Sequence, residues 1–165
     1  MTRRGDDITT EHVPVRGTTT QGGTPRLAES LARMGVLIDA QRVELFIARP
    51  TGMLLAGWWA ALGHEVAPPA SGRPLPHRWF PWSLGNLRPQ NHVFVRNAAE
   101  LPIRPSSRMT VGDLGMGSCL HLPLHDRVEL IGAVWAFWEE ARDDWPSERS
   151  PQLTDLARDA LLDCT

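Results

Sequence analysis

The sequence predicts an α+β fold in which two terminal helices bracket a sheet of antiparallel strands. Three observations carry this reading. Residues 41–48 and 118–124 alternate along the chain, and each is followed across a short turn by a second strand-like apolar run, 53–61 and 129–138, as in hairpins. Apolar residues recur at helical spacing from Leu27 to Ile38, and again from Leu153 to Cys164.

The elements follow in order. Residues 1–24 are rich in Thr, Gly, Arg and Asp and hold almost no large apolar side chain, so nothing there repays the entropy of ordering. They are expected to form a flexible tail, and 25–165 a single domain. Thr24-Pro25 offers an N-cap followed by a first-turn proline, and Leu27, Leu31, Met34 and Ile38 give the first helix one apolar side. From Gln41 to Ala48, Val43, Leu45 and Ile47 share one face while Glu44, Phe46 and Ala48 share the other; RPTG breaks the strand before Met53 to Ala61 resumes it.

The stretch VAPPASGRPLP is a proline-rich connection into HRWFPWSLGNL, where Trp79, Trp82 and Leu87 share a side of a short helix interrupted by Pro81, as in a lid or cover. Val93 to Val95 centre a brief strand, and a Ser106-Ser107 cap signal precedes a short helix near Arg108 to Leu114. Ser118–Leu124 and Glu129–Trp138, joined at Asp126-Arg127, make the longest hairpin. Ser150-Pro151 is expected to cap the last helix, whose stripe is Leu153, Leu156, Ala157, Ala160, Leu161 and Cys164.

Composition narrows the function classes. A chain of 165 residues, 42% hydrophobic and 22% charged with a formal net charge of −2, has the make-up of a soluble globular protein. All 17 basic residues are Arg, scattered from Arg3 to Arg158 with no stripe to track a phosphate backbone, so no nucleic-acid partner is indicated. No stretch approaches the roughly 18 apolar residues of a spanning helix, and the N-terminus lacks a signal-peptide core. Cys119 and Cys164 are too few for a disulfide framework and form no Cys-x-x-Cys pair, which suits a reducing cytoplasm.

The order of elements, with RVELFIARPTGMLLAGWWA as first hairpin, LRPQNHVFVRN as entry to the third strand, GMGSCLHLPLHDRVELIGAVWAFW as central hairpin and LTDLARDALL as closing helix, resembles the GAF domain over roughly residues 27–162. GAF domains are small ligand-binding and dimerising modules of signalling proteins. The resemblance implies a twisted antiparallel sheet of five or six strands, terminal helices on one face, and a pocket under the middle segment on the other. It implies a non-enzymatic sensory or regulatory domain that binds a small molecule, dimerises, or does both. Several specialised variants do not match. The cyclic-nucleotide motif needs a Lys, and there is none; bilin-binding members use a cysteine in the pocket loops, and none precedes Cys119. Haem-binding members need a histidine before the fourth strand, and none lies between His92 and His121; methionine sulfoxide reductases need several cysteines there. The resemblance therefore implies no haem, bilin or cyclic nucleotide and carries no catalytic residue across.

Cys119 and His121 stand at i and i+2 on a strand, sharing a face with Cβ atoms about 7 Å apart. His125 has the same parity but lies at the turn. Two such ligands fall short of a zinc site, so no metal is expected. If His121 activated the Cys119 thiol, the chain would be a thiol-dependent enzyme or redox sensor; the alternative is a quietly packed cysteine beside a histidine that is either a core residue or offered to a pocket ligand. The choice depends on whether this face looks into a pocket or into a helix. Trp79 and Trp82, over the implied pocket, join Cys119 and His121 as candidate ligand contacts. Leu153, Leu156 and Leu161 are candidate contacts to a partner helix in a homodimer. Trp58 and Trp59 must face opposite sides of their strand, as must Trp135 and Trp138. Gly132, inside an apolar strand, is expected to admit a close backbone or a ligand.

Overall fold

A computed structural model describes residues 24–64, 74–75, 92–100 and 117–164. Thr24 caps α1 (Pro25–Ile38), its Oγ1 accepting the Leu27 amide at 3.3 Å, with Pro25 in the first turn. Asp39, in the left-handed region at φ 52°, closes the helix by donating its amide to the carbonyls of Gly35 and Val36.

The strands are β1 (Arg42–Arg49), β2 (Gly52–Ala60), β3 (Val93–Val95), β4 (Ser118–Asp126) and β5 (Glu129–Trp138). They form one sheet in the order β2-β1-β5-β4-β3, with every neighbouring pair antiparallel. Both expected hairpins are present, and their inner strands β1 and β5 pair with each other. The expected range of five or six strands resolves to five among the described residues. Leu75, from the proline-rich connection, returns to the outer edge of β2 through reciprocal backbone bonds with Met53 of 2.7 and 2.9 Å.

α2 (Ser150–Leu162) departs from expectation at its start. Its first turn follows directly from a 3-10 turn over Ser147–Arg149, and no side chain caps it. The Arg149 and Ser150 amides already donate to the carbonyls of Pro146 and Ser147, so continuous helical backbone does the work assigned to a serine cap.

Both helices pack on one face of the sheet. Leu27, Leu31, Met34 and Ile38 of α1, with Leu153, Ala157, Ala160 and Leu161 of α2, bury against Val43, Leu45, Leu122, Val134 and Trp138. Period-two alternation sends the intervening residues to the other face, where Phe46, Met53, Leu75, Cys119, Ala133, Trp135 and Phe137 form a separate buried cluster. The tryptophan pairs split as strand parity requires, with Trp59 and Trp138 on the helix side and Trp135 on the other. At Gly132 a Cβ would press on the Phe46 carbonyl oxygen of β1, so this glycine serves close packing of the two central strands. The covering helix expected around Trp79 and Trp82 and the short helix expected at 108–114 lie outside the described residues, as does the expected tail of residues 1–24 except for Thr24, which caps α1.

Candidate functional site

Strand register assembles the candidate site on the face away from the helices. One row across the sheet aligns His121 of β4 with Trp135 of β5, Glu44 of β1 and Trp58 of β2; the next aligns Cys119, Phe137, Arg42 and Ala60. All eight are buried. Cys119 and His121 therefore look away from the helix layer, and a chain spent on core packing alone would fill such a face with apolar side chains.

Two features break that apolar pattern. The first is a buried ion pair in which Arg42 Nε and Nη2 each lie 2.7 Å from Glu44 Oε1, while the guanidinium sits 4.5 Å from the centroid of the Trp58 ring. Arg42 is fully buried. Removing these charges from water is costly, and it is offset by short charge-assisted contacts and by the indole face below the cation. Burial pushes the Glu44 carboxyl above the usual carboxylate range against the opposing pull of Arg42. The second feature is His121, whose ring stacks on Trp135 at 4.2 Å between centroids and 10° between planes. Phe46 reaches the same indole at 4.4 Å. Trp58 Nε1 is buried and has no acceptor among the described residues.

Desolvation sets the protonation of the two residues singled out from sequence. It pushes the Cys119 thiol up to about 12 and lowers the His121 imidazole to about 3. At neutral pH the pair is a thiol beside a neutral ring. In the unfolded chain the imidazole takes up a proton near its ordinary 6.5, so between that pH and about 3 the unfolded state binds more protons than the folded one. Stability is thus full above about 6.5 and falls as the pH drops through this window, by at most about 1.4 kcal/mol per pH unit from this one group. Urea titrations of the wild type and of His121→Phe, which keeps a ring against Trp135, are expected to show a shallower acid loss in the variant. Parallel pH profiles would mean that His121 titrates freely.

The remaining sequence candidates are placed as follows. Trp79 and Trp82 lie outside the described residues. Leu153 and Leu161 are buried against the chain's own sheet and Leu156 is half-buried beside them. The described residues contain no group of three or more His, Cys, Asp and Glu able to hold a metal ion. No described helix is long and apolar enough to cross a membrane. Arg42, Glu44 and Trp58 were not singled out from sequence. The available signal was Arg-x-Glu at one parity inside a strand whose other parity is Val43, Leu45 and Ile47; like-facing charges in a strand apolar on both flanks mark a buried polar centre.

No family model and no curated protein sequence matches the chain. Solved structures do. The structure of the GAF domain/HD domain protein from Geobacter sulfurreducens is similar at a TM-score of 0.64 with 18% identity, over 84% of this chain and 89% of that one. The GAF domain of a two-component sensor histidine kinase from Bacillus halodurans is similar at 0.61 with 14% identity, over 84% and 90%. The blue-light absorbing form of the Thermosynechococcus elongatus PixJ GAF domain is similar at 0.64 with 16% identity, over 84% of both. The chain has the GAF fold.

Proposed function

We propose that this chain is a non-enzymatic sensory domain of a signal-transduction protein, which binds a small molecule on the sheet face opposite its helices. The observation that carries the proposal is the polar centre of Arg42, Glu44 and His121 set among Trp58, Trp135, Phe46 and Phe137. A few fixed polar groups on an apolar, aromatic-rich surface are the usual make-up of a small-molecule site: the aromatics supply contact area, the polar groups orientation. The fold supports the same reading, since two of the similar structures are the GAF domain of a sensor histidine kinase and the blue-light absorbing form of the PixJ GAF domain. A thermal-unfolding screen against metabolites tests it. A ligand at a hundredfold excess over its Kd adds about 2.7 kcal/mol, a rise of roughly 5–10 °C for a domain of this size. Absence of any shift across a broad library would remove the sensing claim.

A thiol-dependent enzyme or redox sensor built on Cys119 and His121 is disfavoured by the same burial. A reactive cysteine needs thiolate character and access, whereas the Cys119 thiol is fully buried with its pKa raised to about 12. In folded protein at neutral pH, Cys119 is expected to resist iodoacetamide while the half-buried Cys164 reacts first. Rapid modification of Cys119 without unfolding would revive the thiol reading.

A further inference from the structure

A cleft of about 660 Å³ opens at one end of the sheet, between the end of β1, the β4–β5 turn and the last turns of α2. It shares no residue with the Arg42–Glu44 centre. Its volume falls in the range of sites that bury a small organic ligand, roughly 300–1,000 Å³. The floor is apolar, built from Ile47, Leu130, Ile131, Leu161 and Leu162, the last 74% exposed.

Three arginines line the same cleft: Arg49 ending β1, Arg127 in the turn and Arg158 on α2. None of them makes an ion pair among the described residues. Arg158 Nη2 donates to the His125 carbonyl at 2.9 Å, which fixes the helix to the strand and holds the guanidinium at the cleft. The acidic lining groups, Asp126 at the end of β4 and Glu129 at the start of β5, are exposed and flank the turn. His125 feels the result: burial and then the Arg158 charge lower its pKa, so its ring stays neutral beside the cations.

We infer that this cleft binds a small amphiphilic anion, a carboxylate with an acyl or aryl tail, whose tail lies on the apolar floor and whose charge meets the guanidiniums. Either half of the site alone would be ordinary surface. An apolar floor favours any greasy molecule, and exposed arginines favour any anion, but together they select a molecule with both parts. Such a ligand would span the β4–β5 turn and α2, adding to the hydrogen bond by which Arg158 ties α2 to the His125 carbonyl of β4.

Calorimetric titration of the full chain with decanoate below its micellar concentration, with decanol and with acetate tests the inference. Decanoate is expected to bind about tenfold tighter than decanol, one well-formed charged contact, and acetate not measurably. Arg158→Gln and Arg49→Gln should each weaken decanoate by about tenfold and leave decanol unchanged; because Arg158 also ties turn to helix, Arg49→Gln reads the charge alone. Equal affinity for decanoate and decanol, no decanoate binding, or decanoate affinity unchanged in both variants would overturn it. So would a doubling of sedimenting mass that blocks the titration, since a second copy would then occupy the cleft. A ligand of this cleft would also raise the melting temperature, so the Arg42–Glu44 face is tested apart from it, by whether a stabilising compound keeps its effect in Arg49→Gln.

Discussion

Glu44→Ala is expected to destabilise the domain by about 3–5 kcal/mol, because it strands the fully buried Arg42 guanidinium without its carboxylate. Typical domains hold only about 5–15 kcal/mol in total, so the variant should unfold at a much lower urea concentration. The double variant Arg42→Met/Glu44→Leu should recover most of that loss, since apolar residues of similar volume often replace a buried ion pair at no cost. Recovery leaves a folded variant in which the proposed binding role of the pair can be read apart from its effect on stability. The double variant is therefore expected to fold and to lose the ligand-induced rise in melting temperature. A loss below about 1 kcal/mol in Glu44→Ala would show that Arg42 reaches water and that the centre is not sealed.

The second large effect belongs to the helix side. A Cβ on Gly35 of α1 would lie inside the indole of Trp59, 2.5 and 2.8 Å from Cε3 and Cη2. Trp59 is itself buried against the helix layer and has little room to withdraw. Alanine normally stabilises a helix interior over glycine by about 1 kcal/mol. Here overpacking of about 1–3 kcal/mol opposes it, so Gly35→Ala should be destabilising and Gly35→Val more so. Shrinking the neighbour in Gly35→Ala/Trp59→Leu should relieve the clash, giving a coupling that a thermodynamic cycle of denaturation midpoints measures. A more stable Gly35→Ala single variant would mean that α1 stands farther from β2.

Most of the fold was legible because its elements are strongly periodic. Leu27, Leu31, Met34 and Ile38 mark α1, and the alternation through Val43, Leu45 and Ile47 marks β1, each by a pattern local to the chain. Strand parity also separated Trp58 from Trp59 and Trp135 from Trp138. It could not say which parity meets the helices, since that depends on the order β2-β1-β5-β4-β3 and on the side from which both helices approach. For this reason the face of Cys119 and His121 stayed open until the three-dimensional arrangement placed it. The site was legible only in part: His121 and Cys119 stood out as rare residue types, whereas Arg42 and Glu44 resembled ordinary strand-edge charges until the register set them beside Trp58 and Trp135. The missing serine cap on α2 has a similar cause, because Ser150 suits a helix start only where no 3-10 turn runs into it.

The seven tryptophans provide the most direct test of the sensing face, because their indole N–H resonances resolve the two sides of the sheet. For a compound that raises the melting temperature, a proton–nitrogen correlation spectrum is expected to show the indole signals of Trp58 and Trp135 moving, with those of Trp59 and Trp138 on the helix side moving least. Stabilisation that leaves Trp58 and Trp135 in place while Trp59 or Trp138 shifts would contradict the account.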